Sequence, residues 1–195
     1  MKLVLHPNEI LNKELSDVDL NNPGFDPKEL KEQMVELMVS KRGLGLSACQ
    51  VGLDYKLFII GESKESNMMF INPEVISVSE ETETDVEGCL SFPDMFVQLA
   101  RPKSVEAKWY DENLEEQKGS FEGYTARCFL HEFDHLYGVV YKDKVSRMKW
   151  DRAVKKKQKI TKQRNNLMAY LKSAQKTINQ IELRGKELET AAAEE

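Results

Sequence analysis

Two of the three histidines in the chain, His131 and His135, lie four residues apart in the stretch "RCFLHEFDHLYG" at residues 127–138. Residues at this spacing share one face of an α-helix, so both imidazoles can reach a single metal ion. Glu132 lies about 100° around such a helix, where its carboxylate can take a proton from a water molecule held by the ion. The spacing is therefore typical of a metal hydrolase. The alternative is an ordinary amphipathic helix that carries histidines.

The same stretch does not supply a third ligand. Extended protease motifs place a histidine six residues after the second one, and this chain has Tyr141 there. The remaining histidine, His6, lies in the N-terminal arm and is interpreted as structural. A distant glutamate as third ligand would make the chain a zinc peptidase.

Two cysteines are the sharper candidates for the third ligand. Cys128 lies about 10 Å along the helix axis from His135, which is too far for one ion, so it is interpreted as a packing residue near the site. Cys89, in the glycine-containing segment "EGCLSFP", could approach from elsewhere in the fold. The alternative for Cys89 is a small buried hydrophobic residue.

The elements that must position these residues indicate an α+β fold. The stretch "FDPKELKEQMVELMVSKRGLG" predicts a helix, with Asp26 as its cap and Pro27 in its first turn. "KLFII" and the pieces after it predict short strands, and a helix of about 14 residues is predicted from Tyr124. Strands gathered between two helices predict small antiparallel or mixed sheets packed around the central histidine helix.

Charge is divided unequally along the chain. Residues 1–145 contain 15 Lys and Arg against 27 Asp and Glu, a net charge of −12, whereas residues 146–195 contain 13 against 6, a net charge of +7. This difference predicts a body at 1–145 and a basic helical extension at 146–195 with a partner of its own. No apolar run approaches the roughly 20 residues of a membrane span, so we expect no membrane partner.

The extension contains one glycine and no proline, and its apolar residues recur every three or four positions. This spacing predicts one long helix with a narrow apolar stripe. Such a helix could pack on the body, dimerise or stand largely free. The stripe consists of Ile160, Leu167, Leu171, Ala174, Ile178, Ile181 and Leu188.

Three short motifs in series resemble the peptide deformylase family. They are "GLGLSACQ" at residues 43–50, "EGCLS" at 87–91 and "HEFDH" at 131–135, and the similarity covers residues 1–145. Two positions depart from the family pattern. Ser47 replaces the first alanine of the loop motif, a change expected to have little effect. Leu130 replaces a glutamine that many members have, which removes one hydrogen-bonding group beside the site.

The resemblance implies an enzyme that removes the formyl group from N-formylmethionyl nascent peptides and releases formate. It implies that Cys89, His131 and His135 bind one divalent ion with water in the fourth position. Glu132 would be the general base and then the acid that protonates the leaving amine. In this family the ion is usually Fe(II), although Zn, Ni or Co can occupy the site, and an exposed Fe(II)–thiolate pair should be sensitive to oxygen.

The resemblance also implies how the peptide is held. The side-chain amide of Gln50 and the backbone N–H of Leu90 would bind the oxyanion of the tetrahedral intermediate. An extended substrate would pair with the enzyme like an added strand. The residues expected to bind it are Leu44, Gly45, Gly88, Tyr124, Arg127 and Cys128.

The basic run at residues 147–164 suggests a second partner. In a deformylase it would dock on ribosomal RNA through phosphate contacts, and the alternative is a solvated helix face. A ribosome- or RNA-binding module with a degenerate catalytic site is a further alternative. We expect no DNA partner and a location in the cytoplasm of a bacterial or phage-infected bacterial cell.

Overall fold

The computed structural model describes residues 1–193, with residue 182 and residues 184–193 described by their backbone alone. Residues 194–195 of the predicted extension, and the side chain of Leu188 in the predicted stripe, therefore lie outside the described part. Contacts between residues divide the chain into two units, Met1–Trp150 and Asp151–Glu195. The first unit is called the body below.

Three α-helices and seven β-strands make up the described chain. The helices are α1 (Pro27–Ser40), α2 (Gly123–Leu136) and α3 (Arg147–Ala193). The strands are β1 (Gly45–Ser47), β2 (Leu57–Gly61), β3 (Asn67–Val78), β4 (Thr82–Gly88), β5 (Phe96–Pro102), β6 (Ser104–Tyr110) and β7 (Glu116–Glu122). Short 3₁₀ turns lie at Glu9–Asn12, Ala48–Val51 and Tyr141–Lys144.

The strands form two sheets. Five of them pair in the order β1-β2-β3-β6-β7, and β4 pairs with β5 in a separate ribbon. Every pairing among the named strands is antiparallel, so the α+β prediction is confirmed and the sheets are antiparallel rather than mixed. β1 has β2 as its one partner in the sheet and therefore lies at an edge, next to the 3₁₀ turn Ala48–Val51.

Helix α1 forms as its sequence predicts. The Asp26 carboxylate accepts hydrogen bonds from the backbone N–H groups of Lys28 and Glu29, at 2.9 and 3.2 Å. These bonds satisfy two of the N–H groups that a helix leaves unpaired in its first turn. Met34 and Met38, one turn apart, are completely buried, so α1 packs its apolar face into the core.

Helix α2 lies against the five-stranded sheet through an aromatic cluster. The ring of Phe129 lies 5.2 Å from that of Phe58 and 5.3 Å from that of Phe70, edge to face in both cases. It stacks on Phe121 at 5.4 Å. Burying one such ring stabilises a fold by about 1.5–3 kcal/mol, and eight of the fourteen residues of α2 are buried. The histidine helix is therefore central, as predicted.

A glycine joins the sheet to α2. Gly123 has φ +56 where β7 ends, a left-handed conformation that residues with a Cβ rarely adopt. The chain can thus pass directly from the strand into the helix. His131 of this helix contacts Glu87 near the end of β4.

Helix α3 confirms the single C-terminal helix that was predicted. None of its described side chains is buried, and Leu167, Leu171 and Ile181 of the apolar stripe are 50–65% exposed. Among the described residues, no helix has both the length and the apolar character to cross a bilayer.

Candidate active site

A thiol and two imidazoles converge between the end of β4 and α2. The ligand atoms of Cys89, His131 and His135 all lie within 4.8 Å of one another, and Cys89 Sγ is 3.3 Å from His135 Nε2. Metal–sulfur bonds of about 2.3 Å and metal–nitrogen bonds of about 2.1 Å put neighbouring ligand atoms roughly 3–4 Å apart. The donor set therefore fits one divalent ion. Cys89, the cysteine that the sequence favoured, thus lies close to both histidines.

Glu87 orients one of these histidines. Its Oε2 lies 3.0 Å from His131 Nδ1, which leaves Nε2 of the ring for the cluster. Burial acts to raise the pKa of Glu87, but hydrogen bonds from His131 and Arg101 outweigh it and lower the pKa to about 2. An ionised carboxylate behind a ligating histidine fixes the ring and makes it a better ligand.

Two buried arginines neutralise Glu87. Arg101 donates to both carboxylate oxygens, from Nε at 2.6 Å and from an Nη at 2.9 Å, and an Nη of Arg127 donates at 2.9 Å. Arg101 also donates to Asp134 of α2 at 2.6 Å. These bonds tie β4, β5 and α2 together directly behind the cluster. The carboxylates and guanidinium groups thus pair with one another in the buried interior, where an unpaired charge would be costly.

The two histidines have opposite electrostatic surroundings. Burial and the neighbouring His131 hold the pKa of His135 well below its usual value, which favours the neutral ring that a metal ligand requires. Burial also opposes protonation of His131, but Cys89 and Glu87 outweigh it and raise its pKa to about 10. A bound cation would compete with that proton for the ring. Among the described residues, His135 Nδ1 is the buried side-chain atom without a hydrogen-bond partner.

Glu132 lies beside the cluster and is 5% exposed. Burial raises the pKa of its carboxyl group, which is the direction that the predicted general base would need. The hydroxyl of Ser47 donates to Glu132 Oε2 at 2.7 Å. Sequence analysis expected the hydroxyl at Ser47 to have little effect and did not foresee this contact, which joins residues 85 positions apart.

The glycine of the loop motif makes room for this carboxylate. A Cβ placed on Gly45 would lie 2.5 Å from Glu132 Oε1 and 2.7 Å from its Cγ. Such separations are far below van der Waals contact, so any larger residue would displace the Glu132 side chain. Gly45 was predicted to line the peptide channel, and the structure adds a second reason for a glycine there.

Gln50 lies in the turn after β1 and is buried beside the cysteine. Its Oε1 accepts from the backbone N–H of Ser47 at 2.9 Å. Its Nε2 donates to Ser91 Oγ at 3.1 Å and to Cys89 Sγ at 3.3 Å. The amide is therefore oriented with its donors toward Cys89 and Ser91, the two neighbours of Leu90 in the chain.

A cleft of about 1030 Å³ opens onto this cluster. The predicted residues that line it are Leu44, Gly45, Gly88, Cys89, Leu90, Tyr124, Arg127, Cys128, His131 and Glu132. Gln50 and His135 are buried, and neither is among the described residues that line the cleft.

Two predicted pocket residues have more specific surroundings than expected. The guanidinium of Arg127 is already engaged within the protein. It donates to Glu87 and to the backbone oxygens of Leu99 and Glu83, the last two at 2.9 and 2.6 Å. Burial, aided by Glu132, raises the pKa of the Cys128 thiol to about 12. Cys128 therefore lines the cleft as a neutral thiol.

Sequence analysis missed several residues at the site. Glu87 was quoted within "EGCLS" but received no role, and Arg101, Ser47 and Ser91 received none either. Phe96 also lines the cleft, 61% exposed beside Gly88. The alternation of buried and exposed residues along β5 could have placed this aromatic ring on the outward face.

Comparisons with known proteins give one consistent family. The family model described as polypeptide deformylase matches residues 1–151. A peptide deformylase of Wolbachia sp. subsp. Drosophila simulans (strain wRi) is 37% identical over 84% of this chain and 97% of its own length. The crystal structure of a peptide deformylase from Synechococcus elongatus in complex with actinonin has a TM-score of 0.73 and 32% identity, and covers 80% of this chain and 85% of that one.

A phage protein is also similar. The crystal structure of a probable peptide deformylase from Synechococcus phage S-SSM7 has a TM-score of 0.67 and 30% identity. The match covers 74% of this chain and 99% of that one. The shared part thus accounts for almost the whole of the shorter relative.

Proposed function

The chain belongs to the peptide deformylase family, and on that premise we propose how its residues remove the formyl group from nascent peptides. The ion would be held by Cys89, His131 and His135. When bound, a divalent ion supplies a Lewis acid that makes a water molecule nucleophilic near neutral pH. The observation that carries the proposal is the convergence of these three donors beside a buried glutamate and an open cleft.

The zinc-peptidase alternative needed a glutamate as third ligand. The group that gathers with the two histidines in the described residues is instead the thiol of Cys89, which supports Cys89 as the third ligand, whereas Glu87 is bonded to His131 Nδ1. The alternative of a degenerate site needed a missing group. Every residue that the motifs assign to the chemistry is present and lies at the cluster or next to it.

The peptide would bind along the edge of the larger sheet. Leu44 and Gly45 line the cleft at the edge strand β1, whose outer side has no partner among the described strands. An extended substrate can add to such an edge through main-chain hydrogen bonds. The methionine side chain would lie near Tyr124 and Cys128. The hydrocarbon part of Arg127 would border it, because the guanidinium is already bonded to Glu87.

Glu132 would move the protons of the reaction. Its carboxylate takes a proton from the water as the water oxygen bonds to the formyl carbon. It then gives that proton to the methionine nitrogen as the C–N bond breaks, which releases formate and a free α-amine. Gln50 Nε2 and the backbone N–H of Leu90 would donate to the oxyanion formed between these two steps.

Formate release tests this assignment. The protein, purified without oxygen, should release formate from a formyl-methionyl tripeptide. Glu132→Gln should keep its metal and lose about 10²–10⁴-fold in kcat, the usual contribution of a general base. Glu36→Gln, at an exposed position of α1, is the matched control and should retain full activity. A fully active Glu132→Gln enzyme would contradict the mechanism.

We propose Fe(II) as the ion in the cell. A cysteine thiolate with two imidazoles accepts Fe, Zn, Ni or Co, so the choice depends on availability and redox chemistry. Metal analysis of protein purified without oxygen should find one iron per chain. Activity should decay in air for the iron form and persist for the nickel form. Equal loss of activity in air for both forms would contradict this proposal.

We also propose that the first part of α3 docks on ribosomal RNA in the bacterial cytoplasm, where formylated chains emerge. Its side chains between residues 147 and 164 are exposed or half-buried, and they include nine basic residues against one aspartate. Phosphate contacts release counterions, so ribosome binding should weaken steeply as salt rises. Replacing Lys155, Lys156 and Lys157 by Glu should abolish cosedimentation with ribosomes without changing tripeptide turnover.

Two positions later in α3 provide the control for this docking test. Lys172→Glu with Lys176→Glu changes charge in the same helix but outside the basic run. This variant should retain most of the binding. Binding that is insensitive to salt, or an equal loss in both variants, would count against docking through the basic run.

A further inference from the structure

Ser47 is hydrogen-bonded to both Gln50 and Glu132, the two residues proposed to bind the oxyanion and to move protons. It is completely buried at the end of β1. Its backbone N–H donates to Gln50 Oε1 at 2.9 Å, and its hydroxyl lies 2.7 Å from Glu132 Oε2. The loop motif has an alanine at this position in the family pattern. An alanine keeps the backbone bond and lacks the hydroxyl.

The two oxygens of Glu132 have different neighbours. Oε2 accepts the hydroxyl proton of Ser47, whose Oγ also lies 3.0 Å from the Glu132 carbonyl oxygen. Oε1 lies against Gly45, which lines the cleft. The terminal torsion of a glutamate is soft, so a carboxylate without such a bond can rotate and exchange its oxygens. A charge-assisted hydrogen bond to one oxygen opposes that rotation.

We propose that Ser47 is a positioning residue that holds Glu132 Oε2, so that Oε1 is the oxygen that exchanges protons with water and substrate. The inference rests on the proposed role of Glu132 as proton carrier. A base whose reactive oxygen is already aligned spends less of its time in unproductive orientations. The hydroxyl touches neither the ligand atoms of the cluster nor the open cleft, so its effect should fall on turnover rather than on peptide or metal binding.

Ser47→Ala isolates the hydroxyl, because it leaves the backbone bond to Gln50 intact. Metal content and KM for a formyl-methionyl tripeptide should stay within about twofold of the wild type, while kcat falls about tenfold. The control is Cys49→Ala, which removes a buried side-chain atom from the adjacent turn whose weak hydrogen bond goes to the backbone oxygen of His135 and not to the Glu132 carboxylate. Its kcat should change by less than about twofold.

A double substitution separates positioning from general damage. Glu132→Asp withdraws the carboxylate by one methylene and weakens its contact with Ser47. Adding Ser47→Ala to that variant should change kcat by less than about twofold, because the partner of the hydroxyl has already moved. An undiminished tenfold effect in the double variant would mean that the hydroxyl acts elsewhere.

The outcomes distinguish this inference from the proposed function. Wild-type protein that releases no formate would overturn the function itself. Wild-type activity with an unchanged kcat in Ser47→Ala would overturn only the positioning role. The positioning role would also be overturned if the loss of kcat in Ser47→Ala matched a loss of bound metal or of folded protein, measured by metal analysis and thermal unfolding.

Discussion

Helices α2 and α3 have the same backbone conformation but differ in what surrounds them. In α2, Arg127 and His131 each contact Glu87 on β4, and Asp134 contacts Arg101 on β5. In α3, the described side chains are all exposed or half-buried. The α2 side chains at the candidate site are therefore fixed by buried contacts with neighbouring strands, whereas the described side chains of α3 lie largely at the surface.

The largest expected effect concerns the metal ligands of the body. Cys89→Ala removes one of three donors and should abolish both bound metal and formate release. Cys128→Ala, four residues before Glu132 on α2, should retain its metal because the thiol of Cys128 is outside the cluster. Metal per chain and formate release measure both variants. Metal loss in Cys128→Ala would require a different ligand set.

The next effect concerns the buried charges behind the cluster. Glu87→Ala would leave two buried guanidinium groups without their carboxylate, which costs about 3–5 kcal/mol in the free energy of unfolding. Metal affinity should fall by about 10–100-fold, since His131 loses the group that orients it. Urea unfolding and metal titration measure these changes. Lys156→Ala in α3 should change the free energy of unfolding by less than about 0.5 kcal/mol.

A pair of apolar substitutions compares packing in the two helices. Phe129→Ala removes the ring at the centre of the aromatic cluster and should cost about 3–5 kcal/mol. Leu171→Ala, at a half-exposed position of the α3 stripe, should cost less than about 0.5 kcal/mol. Denaturant unfolding at two protein concentrations gives both values. A concentration-dependent cost for Leu171→Ala would show that self-association covers the stripe.

The smallest expected effect on activity belongs to a test of thiol reactivity, which should leave formate release unchanged. Cys128, with a pKa raised to about 12, is almost wholly protonated at pH 8. A cysteine introduced by Ser173→Cys on exposed α3 should have a pKa of about 8.5. At pH 8, iodoacetamide should alkylate this introduced cysteine on the order of a thousandfold faster than it alkylates Cys128. Peptide mapping by mass spectrometry gives both rates, and comparable rates would mean that α2 does not bury Cys128.

Sequence reasoning predicted those parts of the site that depend on local spacing. His131 and His135 lie four residues apart on one helix, so their shared face follows from helix geometry alone. The cap at Asp26 and the long helix α3 are likewise short-range features. Arg127 shows the limit of the approach. The family resemblance placed it at the pocket, but its partner on β4 determines where the guanidinium points.

The sequence by itself therefore predicted the histidine helix and its glutamate from one short motif, and the family resemblance added Cys89 as the expected third ligand. The tertiary structure alone decided how these groups are held. Glu87 bonds His131 across 44 positions of the chain, and Ser47 bonds Glu132 across 85. No local periodicity encodes a contact over such distances. Such contacts arise when the sheet, the β4–β5 ribbon and α2 pack together and leave each buried polar group with the partners that its neighbours provide.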